Sequence, residues 1–257
     1  MSVLVIPDTQ VRLGDPIDHL EALGNFAVDE EPEYIVHLGD HWDMHSLSIY
    51  DMGKKAAENA RYQDDIEAGI KGLLAFQDPI TKYRNKQWYQ KKKLYKPNKI
   101  FLIGNHEARI LKHVQSHPYL EGKLSFKDFY LDHYDWEMFN YLEIIEIEGI
   151  KFSHYFINPD SAKSYPFSGG ADYQLKALGF SYIQGHRQGL DIASPRFYPD
   201  GRVIRGIIAG SFYQHDFDYL GPQKTNYWRG ALYLEDVKDG MFRLKELPIN
   251  WLKENYL

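Results

Sequence analysis

Three apolar runs, each stopping on a polar cluster, constrain this chain most. They are Val3-Leu4-Val5-Ile6, Tyr34-Ile35-Val36-His37-Leu38 and Lys99-Ile100-Phe101-Leu102-Ile103. Short, nearly unbroken apolar runs suit strands buried on both faces. Each is followed by residues that an ordinary surface loop does not require: Asp8-Thr9-Gln10, Gly39-Asp40-His41-Trp42-Asp43 and Gly104-Asn105-His106-Glu107. In an open α/β sheet, ligands gather outside the carboxyl ends of the strands. The pattern therefore predicts one polar edge carrying Asp8, Asp40 and Asn105. Gly39 and Gly104 allow the tight backbone such turns need. Two later strand ends add histidines, at Ser153-His154 and Gly185-His186.

Between the first two runs, Asp15 reads as a helix N-cap with Pro16 at the first helical position. The helix extends to about Asp29, with Leu20, Leu23 and Ala27 on one face. Strand, helix and strand then make a βαβ unit. Residues 55–77 have helical spacing in Ile66, Ile70, Leu73 and Leu74, with Pro79 set to interrupt or kink the helix. Residues 106–139 read as helical and irregular. Strands are expected at 141–147, 150–155, 182–184, 189–197, 203–209, 231–237 and 241–247, with a hairpin turn at Glu148-Gly149. Short helices are expected at 171–178 and from Ile249 to the end. No repeat or low-complexity linker divides the chain, which predicts one domain over 1–257 with a helical insertion at 45–98.

Charge and composition exclude some chemistry. There is no cysteine, so disulfides and thiolate metal sites are impossible, and a bound metal must use carboxylate, imidazole, amide or water. The formal net charge of −6 gives no general attraction for nucleic acid. A local patch is still compatible with it: Lys82, Arg84, Lys86, Lys91, Lys92, Lys93 and Lys96 alternate with Tyr83, Trp88, Tyr89 and Tyr95. That stretch has two readings, a solvated basic helix face or a groove that pairs cations with stacking aromatics. No apolar run approaches the roughly 18 residues of a membrane span, and the first residues lack the features of a secretory leader. A cytoplasmic protein with no membrane partner is expected; the oligomeric state is not legible.

Carboxylates, an amide oxygen and imidazoles at one edge form a ligand set for hard to borderline divalent metals. Two ions about 4 Å apart can share one carboxylate, hold a phosphate and acidify a water, which is chemistry for phosphoester hydrolysis. Each residue also has a bland reading. Asp8 could cap a helix, Gly39-Asp40 or Asn105 could serve a turn, His106 could begin a helix, and His154 and His186 could be structural. Their joint order at successive strand ends carries the functional reading.

In that order the motifs resemble the calcineurin-like metallophosphoesterase superfamily, which includes Mre11-type nucleases and protein phosphatases. Its pattern is D-x-H, G-D-x-x-D, G-N-H-[DE], a lone H and G-H-x-H. This chain carries Asp8-Thr9-Gln10, Gly39-Asp40-His41-Trp42-Asp43, Gly104-Asn105-His106-Glu107, His154 and Gly185-His186-Arg187-Gln188. The resemblance implies an α/β (α+β) fold, a four-layer β-sandwich flanked by helices with metals at the sheet edge. It implies that Asp40 bridges two ions, that Asn105, His154 and His186 complete one site, and that Asp8 with positions 10 and 188 completes the other. His106 would protonate the leaving oxygen or stabilise the transition-state charge, and Asp43 would orient a histidine or water.

Gln10 and Gln188 stand where the family has histidine, both in the same site. A glutamine offers an amide oxygen in place of an imidazole nitrogen. The set Asp8, Gln10, Asp40 and Gln188 is then all oxygen, which favours Mg²⁺, Mn²⁺ or Ca²⁺ over Zn²⁺. The expectation is an asymmetric pair of divalent ions, Mn²⁺ first, with Mg²⁺, Zn²⁺ and Fe as alternatives. The expected substrate is a phosphoester, with a phosphodiester or nucleic acid preferred on account of the basic-aromatic stretch. The competing expectation is a catalytically weak phosphate- or nucleic-acid-binding scaffold that keeps one metal. Lys163, Arg187 and Arg196 are candidates to neutralise substrate phosphate. His41, His45 and His215 are read as neighbours of the centre, and His19, His113, His117 and His133 as surface or helix residues.

Overall fold

The computed structural model describes residues 1–49, 58–159, 166–215 and 227–257. β1 (Val3–Ile6) leads to α1 (Asp18–Glu30), and β2 (Tyr34–His37) returns parallel to β1 with Val36 opposite Val5. α2 (Tyr62–Tyr89) precedes β3 (Asn98–Leu102), which lies parallel to β2. α3 (Arg109–Ser116) and a run of short 3₁₀ turns lead to β4 (Trp136–Phe139), parallel to β3. β5 (Ile145–Ile147) and β6 (Ile150–Ser153) form an antiparallel hairpin. Its turn residues Glu148 and Gly149 both have positive φ, 46° and 78°, which matches the right-handed twist of the strands. Then follow α4 (Ala171–Leu178), β7 (Ser181–Gln184), β8 (Leu190–Ile192), β9 (Arg196–Phe197), β10 (Val203–Ile204) and β11 (Gly206–Ala209). β12 (Gly230–Lys238), β13 (Met241–Pro248) and α5 (Ile249–Tyr256) complete the described chain.

The strands form a six-stranded sheet in the order β13-β12-β1-β2-β3-β4, a five-stranded sheet in the order β5-β6-β7-β11-β8 and a small β10-β9 pair. Alternation along the strands builds the layers. Val3, Val5, Val36, Leu38, Ile100 and Leu102 meet Ile145, Ile150, Phe152, Ile183 and Ile207 in the core between the sheets. Leu4, Ile6, Ile35 and Phe101 pack instead with Leu23 and Phe26 of α1, Leu73 and Phe76 of α2 and Leu252 of α5. Tyr182 and Ile208, on the far face of the second sheet, cover Ala171 and Leu175 of α4. The result is the helix–sheet–sheet–helix sandwich that the sequence leads one to expect.

Several boundaries differ. α1 starts at Asp18, after Ile17, with no side-chain cap. Asp15 does not serve as its N-cap, because its carboxylate pairs with His215 at 2.9 Å. α2 runs through Pro79 to Tyr89. Pro79 is buried in that helix, so packing against α1 outweighs the lost N–H. Residues 50–57 lie outside the described residues, so the expected helix start at 55 falls there. β4 lies within the region expected to be irregular, because its pattern, Trp136 buried with Glu137 and Met138 exposed, has no long apolar run to mark it. The segment 189–197 divides into β8 and β9, which belong to different sheets.

Candidate metal centre

The parallel strands β1, β2 and β3 end at one edge, and the loops there are unusually constrained. Gly39 has φ +93°, and a Cβ on it would stand 2.5 Å from the Leu102 carbonyl oxygen, so only glycine fits. A Cβ on Gly104 would collide with the Asp40 carboxylate. Gln10, Asp40 and His186 also hold positive φ, at 38°, 52° and 67°. Backbone held in this region by non-glycine residues concentrates at functional sites.

Glu107 holds the loops together. Its buried carboxylate accepts N–H bonds from Asp40 at 2.9 Å, His41 at 2.6 Å, Trp42 at 3.0 Å and Gly104 at 2.9 Å. Burial and the nearby Asp40 charge push its pKa up to about 7, against the pull of the N–H groups. A hydroxyl between two imidazoles ties the first loop to the second: Thr9 Oγ1 lies 3.2 Å from His37 Nε2 and 2.7 Å from His41 Nδ1. Glu107 and Thr9 fall inside the motifs, but their roles are set by contacts that spacing does not announce.

Asp40, His154 and His186 each offer a ligand atom, and these atoms lie within 4.8 Å of one another. Asn105 Oδ1 joins them, 2.8 Å from His154 Nε2 and 2.6 Å from His186 Nδ1. His154 Nδ1 faces the Leu38 carbonyl at 2.8 Å. That carbonyl can only accept, so Nδ1 is the donor there, while Nε2 faces Asn105 Oδ1 and Asp40 Oδ2, the latter 3.5 Å away. Burial, with His154 beside it, lowers the His186 pKa to about 4, so its ring is neutral near pH 7 and able to ligate. This donor set fits a borderline divalent ion. Among the described residues it is the one such cluster of histidine and carboxylate groups.

Asp8, Gln10 and Gln188 stand beside it. Asp8 accepts the His186 N–H at 3.0 Å and the Gln188 Nε2–H at 2.9 Å. Burial, then the Asp40 charge, raises the Asp8 pKa to about 6. The amide oxygens of Gln10 and Gln188 are both buried without a hydrogen-bond partner. An unpartnered buried polar atom is costly. Amide oxygens are donors of the kind a hard cation takes, while Gln188 turns its Nε2–H toward Asp8.

His106 lies beside Asp40, with Nε2 3.7 Å from Oδ2. Its Nδ1 is 3.0 Å from Asp43 Oδ1 and 2.8 Å from the Asp43 carbonyl. Burial opposes protonation of the ring, but Asp40 and Asp43 outweigh it and lift the pKa to about 9. A cation sharing Asp40 would offset that carboxylate's part. Asp43 also accepts from Arg12 Nε at 2.7 Å, so it holds His106 from a fixed position. Arg109, three residues after His106, donates to the Asp43 carbonyl at 2.7 Å and approaches His106 Nε2 at 3.2 Å. Sequence reasoning missed Arg109, although the i, i+3 spacing from His106 was available.

Other candidates lie elsewhere. Both ring nitrogens of His41 are used internally, by Thr9 and by the Gly69 carbonyl at 2.8 Å. His45 begins a short 3₁₀ turn after the second motif. His19 is a helix residue of α1, the second of its two readings; it is buried and faces the Phe212 carbonyl at 3.0 Å. Arg187 donates to the Gly169 carbonyl at 2.5 Å, Arg196 lies in β9, and Lys163 is outside the described residues. The basic-aromatic stretch sits at the opposite edge of the sheet. Tyr95 donates to the Pro32 carbonyl just before β2, and Arg84 meets Asp135 just before β4. Gly69 faces Trp42 near the centre, and Trp88 is roughly 28 Å further along α2 at 1.5 Å per residue.

The family model described as calcineurin-like phosphoesterase matches residues 1–177. No curated protein matches the chain. Among solved structures, the chain is similar to the crystal structure of a dimetal phosphatase from Danio rerio, at 12% identity and a TM-score of 0.42 over 97% of this chain and 96% of that one.

Proposed function

We propose that this chain, which belongs to the calcineurin-like phosphoesterase family, is a metal-dependent hydrolase of phosphate esters that holds one divalent ion through Asp40, Asn105, His154 and His186. The observation that carries the reading is the convergence of those donors, with the His154 ring held at Nδ1 by the Leu38 carbonyl. A divalent ion bound there supplies Lewis acidity toward a phosphoryl oxygen and toward water. His106, held at Nδ1 by Asp43, presents Nε2 to a leaving oxygen, and Arg109 beside it adds positive charge where negative charge develops.

A harder second ion, held by Asp8, Gln10 and Gln188 with Asp40 shared, is the finer part of the proposal, and the unpartnered amide oxygens support it. A second reading is a catalytically weak phosphate-binding scaffold with one metal. One histidine–carboxylate cluster among the described residues favours it, and on preformed sites alone it is the better supported of the two. The preference for phosphodiesters or nucleic acid loses the observation that motivated it, since the basic-aromatic stretch lies far from this edge.

Calorimetric Mn²⁺ titration, combined with turnover of p-nitrophenyl phosphate, its bis ester and oligonucleotides, tests these readings. One tight and one weak binding event, with hydrolysis following the weak one, is the expected result. A single event with no hydrolysis of any ester selects the scaffold. Unchanged tight binding in His154→Ala would remove the metal assignment altogether.

A further inference from the structure

A cleft of about 420 Å³ adjoins the centre, with Asn105 and His186 in its lining. One wall is the face of α3 and the residue that follows it: Arg109, Lys112, His113, Ser116 and His117 recur every three or four residues and all line the cleft. Tyr141 and Tyr155 stand in the lining too, their hydroxyls 2.5 Å apart, and the Tyr155 ring is 4.8 Å from that of His186. Among the described residues no aspartate or glutamate lines the cleft, although the chain carries a net charge of −6.

The cations of this wall are not equivalent. Arg109 is committed to the Asp43 and Met44 carbonyls and to His106. His113 and His117 stack at 4.6 Å, and burial together with His117 lowers the His113 pKa, which favours a neutral ring. Lys112 is exposed, and its ammonium makes no hydrogen bond or ion pair among the described residues. It stands about one helical turn, roughly 5 Å, beyond Arg109 along the axis. A point charge kept one turn beyond the centre, on an α3 face whose cleft-lining residues include no acid, suits a second anionic group on the substrate. The tyrosines and imidazoles in the lining suit a flat aromatic ring between the two anionic ends. The volume falls in the range of pockets that take one small molecule.

Resting on the reading of the centre given above, we infer that the substrate is a nucleotide-sized phosphoester with an aromatic ring and a second anionic group, bound by Lys112 while the scissile phosphate sits at Asn105 and His186. The cleft, and not the distant basic stretch, selects the substrate.

The test is equilibrium binding of inorganic phosphate, adenosine 5′-monophosphate and adenosine 3′,5′-bisphosphate to the Mn²⁺-loaded full chain and to its Lys112→Glu variant. Affinity should rise in that order, with the bisphosphate about tenfold or more tighter than the monophosphate. In Lys112→Glu the ratio between the two nucleotides should fall toward one. Equal affinity for the two nucleotides in the wild type, or a ratio that survives Lys112→Glu, overturns the inference while phosphate binding leaves the metal centre standing. Failure of inorganic phosphate itself to bind overturns the reading of the centre and the inference with it.

Discussion

Glu107 accepts four backbone N–H bonds from two loops, so the position of Asp40 depends on a side chain that need touch neither metal nor substrate. Glutamine at 107 keeps the shape but turns an NH₂ group toward those donors. Each buried donor left without an acceptor costs roughly 1–3 kcal/mol. Glu107→Gln should therefore lose about 3 kcal/mol in urea unfolding, and Mn²⁺ affinity should fall about 10- to 100-fold, as for partners that orient ligands. A variant with wild-type midpoint and metal affinity would show that the loops hold without it. At this scale the sequence was informative about residue identity and silent about contact. The motif marks Glu107, but only the structure shows its carboxylate beneath the second motif rather than beside His106.

α2 supports the second motif from outside. The Trp42 indole N–H reaches the Ile66 carbonyl at 3.2 Å, His41 reaches the Gly69 carbonyl, and a Cβ on Gly69 would collide with the indole ring. Gly69→Ala would gain intrinsic helix propensity, yet it must push α2 from the loop. Overpacking of this kind costs roughly 1–3 kcal/mol. Thermal unfolding should show a lower midpoint for Gly69→Ala, and an unchanged or higher midpoint would mean that the helix and loop are loosely coupled. Periodicity located the apolar face of α2, since Ile66, Ile70 and Leu73 recur at helical spacing. It could not locate the helix's path through Pro79, which depends on burial against another element.

Across the whole molecule, buried neutral histidines link stability to pH. His19 of α1 bonds the Phe212 carbonyl after β11, while Gln214 lies 2.9 Å from its Nδ1. Burial is the main cause that lowers its pKa to about 4, below the ordinary value of about 6.5. The unfolded chain takes up this proton first, so the stability is full above about pH 6.5 and is lost as pH falls toward 4. The linked loss approaches about 3 kcal/mol at the acid end. Urea midpoints measured from pH 7.5 to 4.5 should fall less steeply in His19→Gln, which can still donate to Phe212. Identical slopes in the two proteins would show that His19 does not contribute.

The sequence by itself determined the strand ends and the residue types on them: Asp8, Asp40, Asn105 and His106 follow apolar runs whose burial and termination are local properties. It also determined that positions 10 and 188 are glutamines, which offer amides rather than imidazoles. Tertiary structure alone brought His154 and His186, from the second sheet, against Asp40 and Asn105 from the first. It left the amide oxygens of Gln10 and Gln188 buried and unpartnered, made a cleft wall of α3, and carried the basic-aromatic stretch to the opposite edge. The reason is range. Periodicity and turn chemistry act over a few residues, whereas the meeting of two sheet edges is decided by how their apolar faces stack, which involves residues more than a hundred positions apart, as in the His154 bond to Leu38.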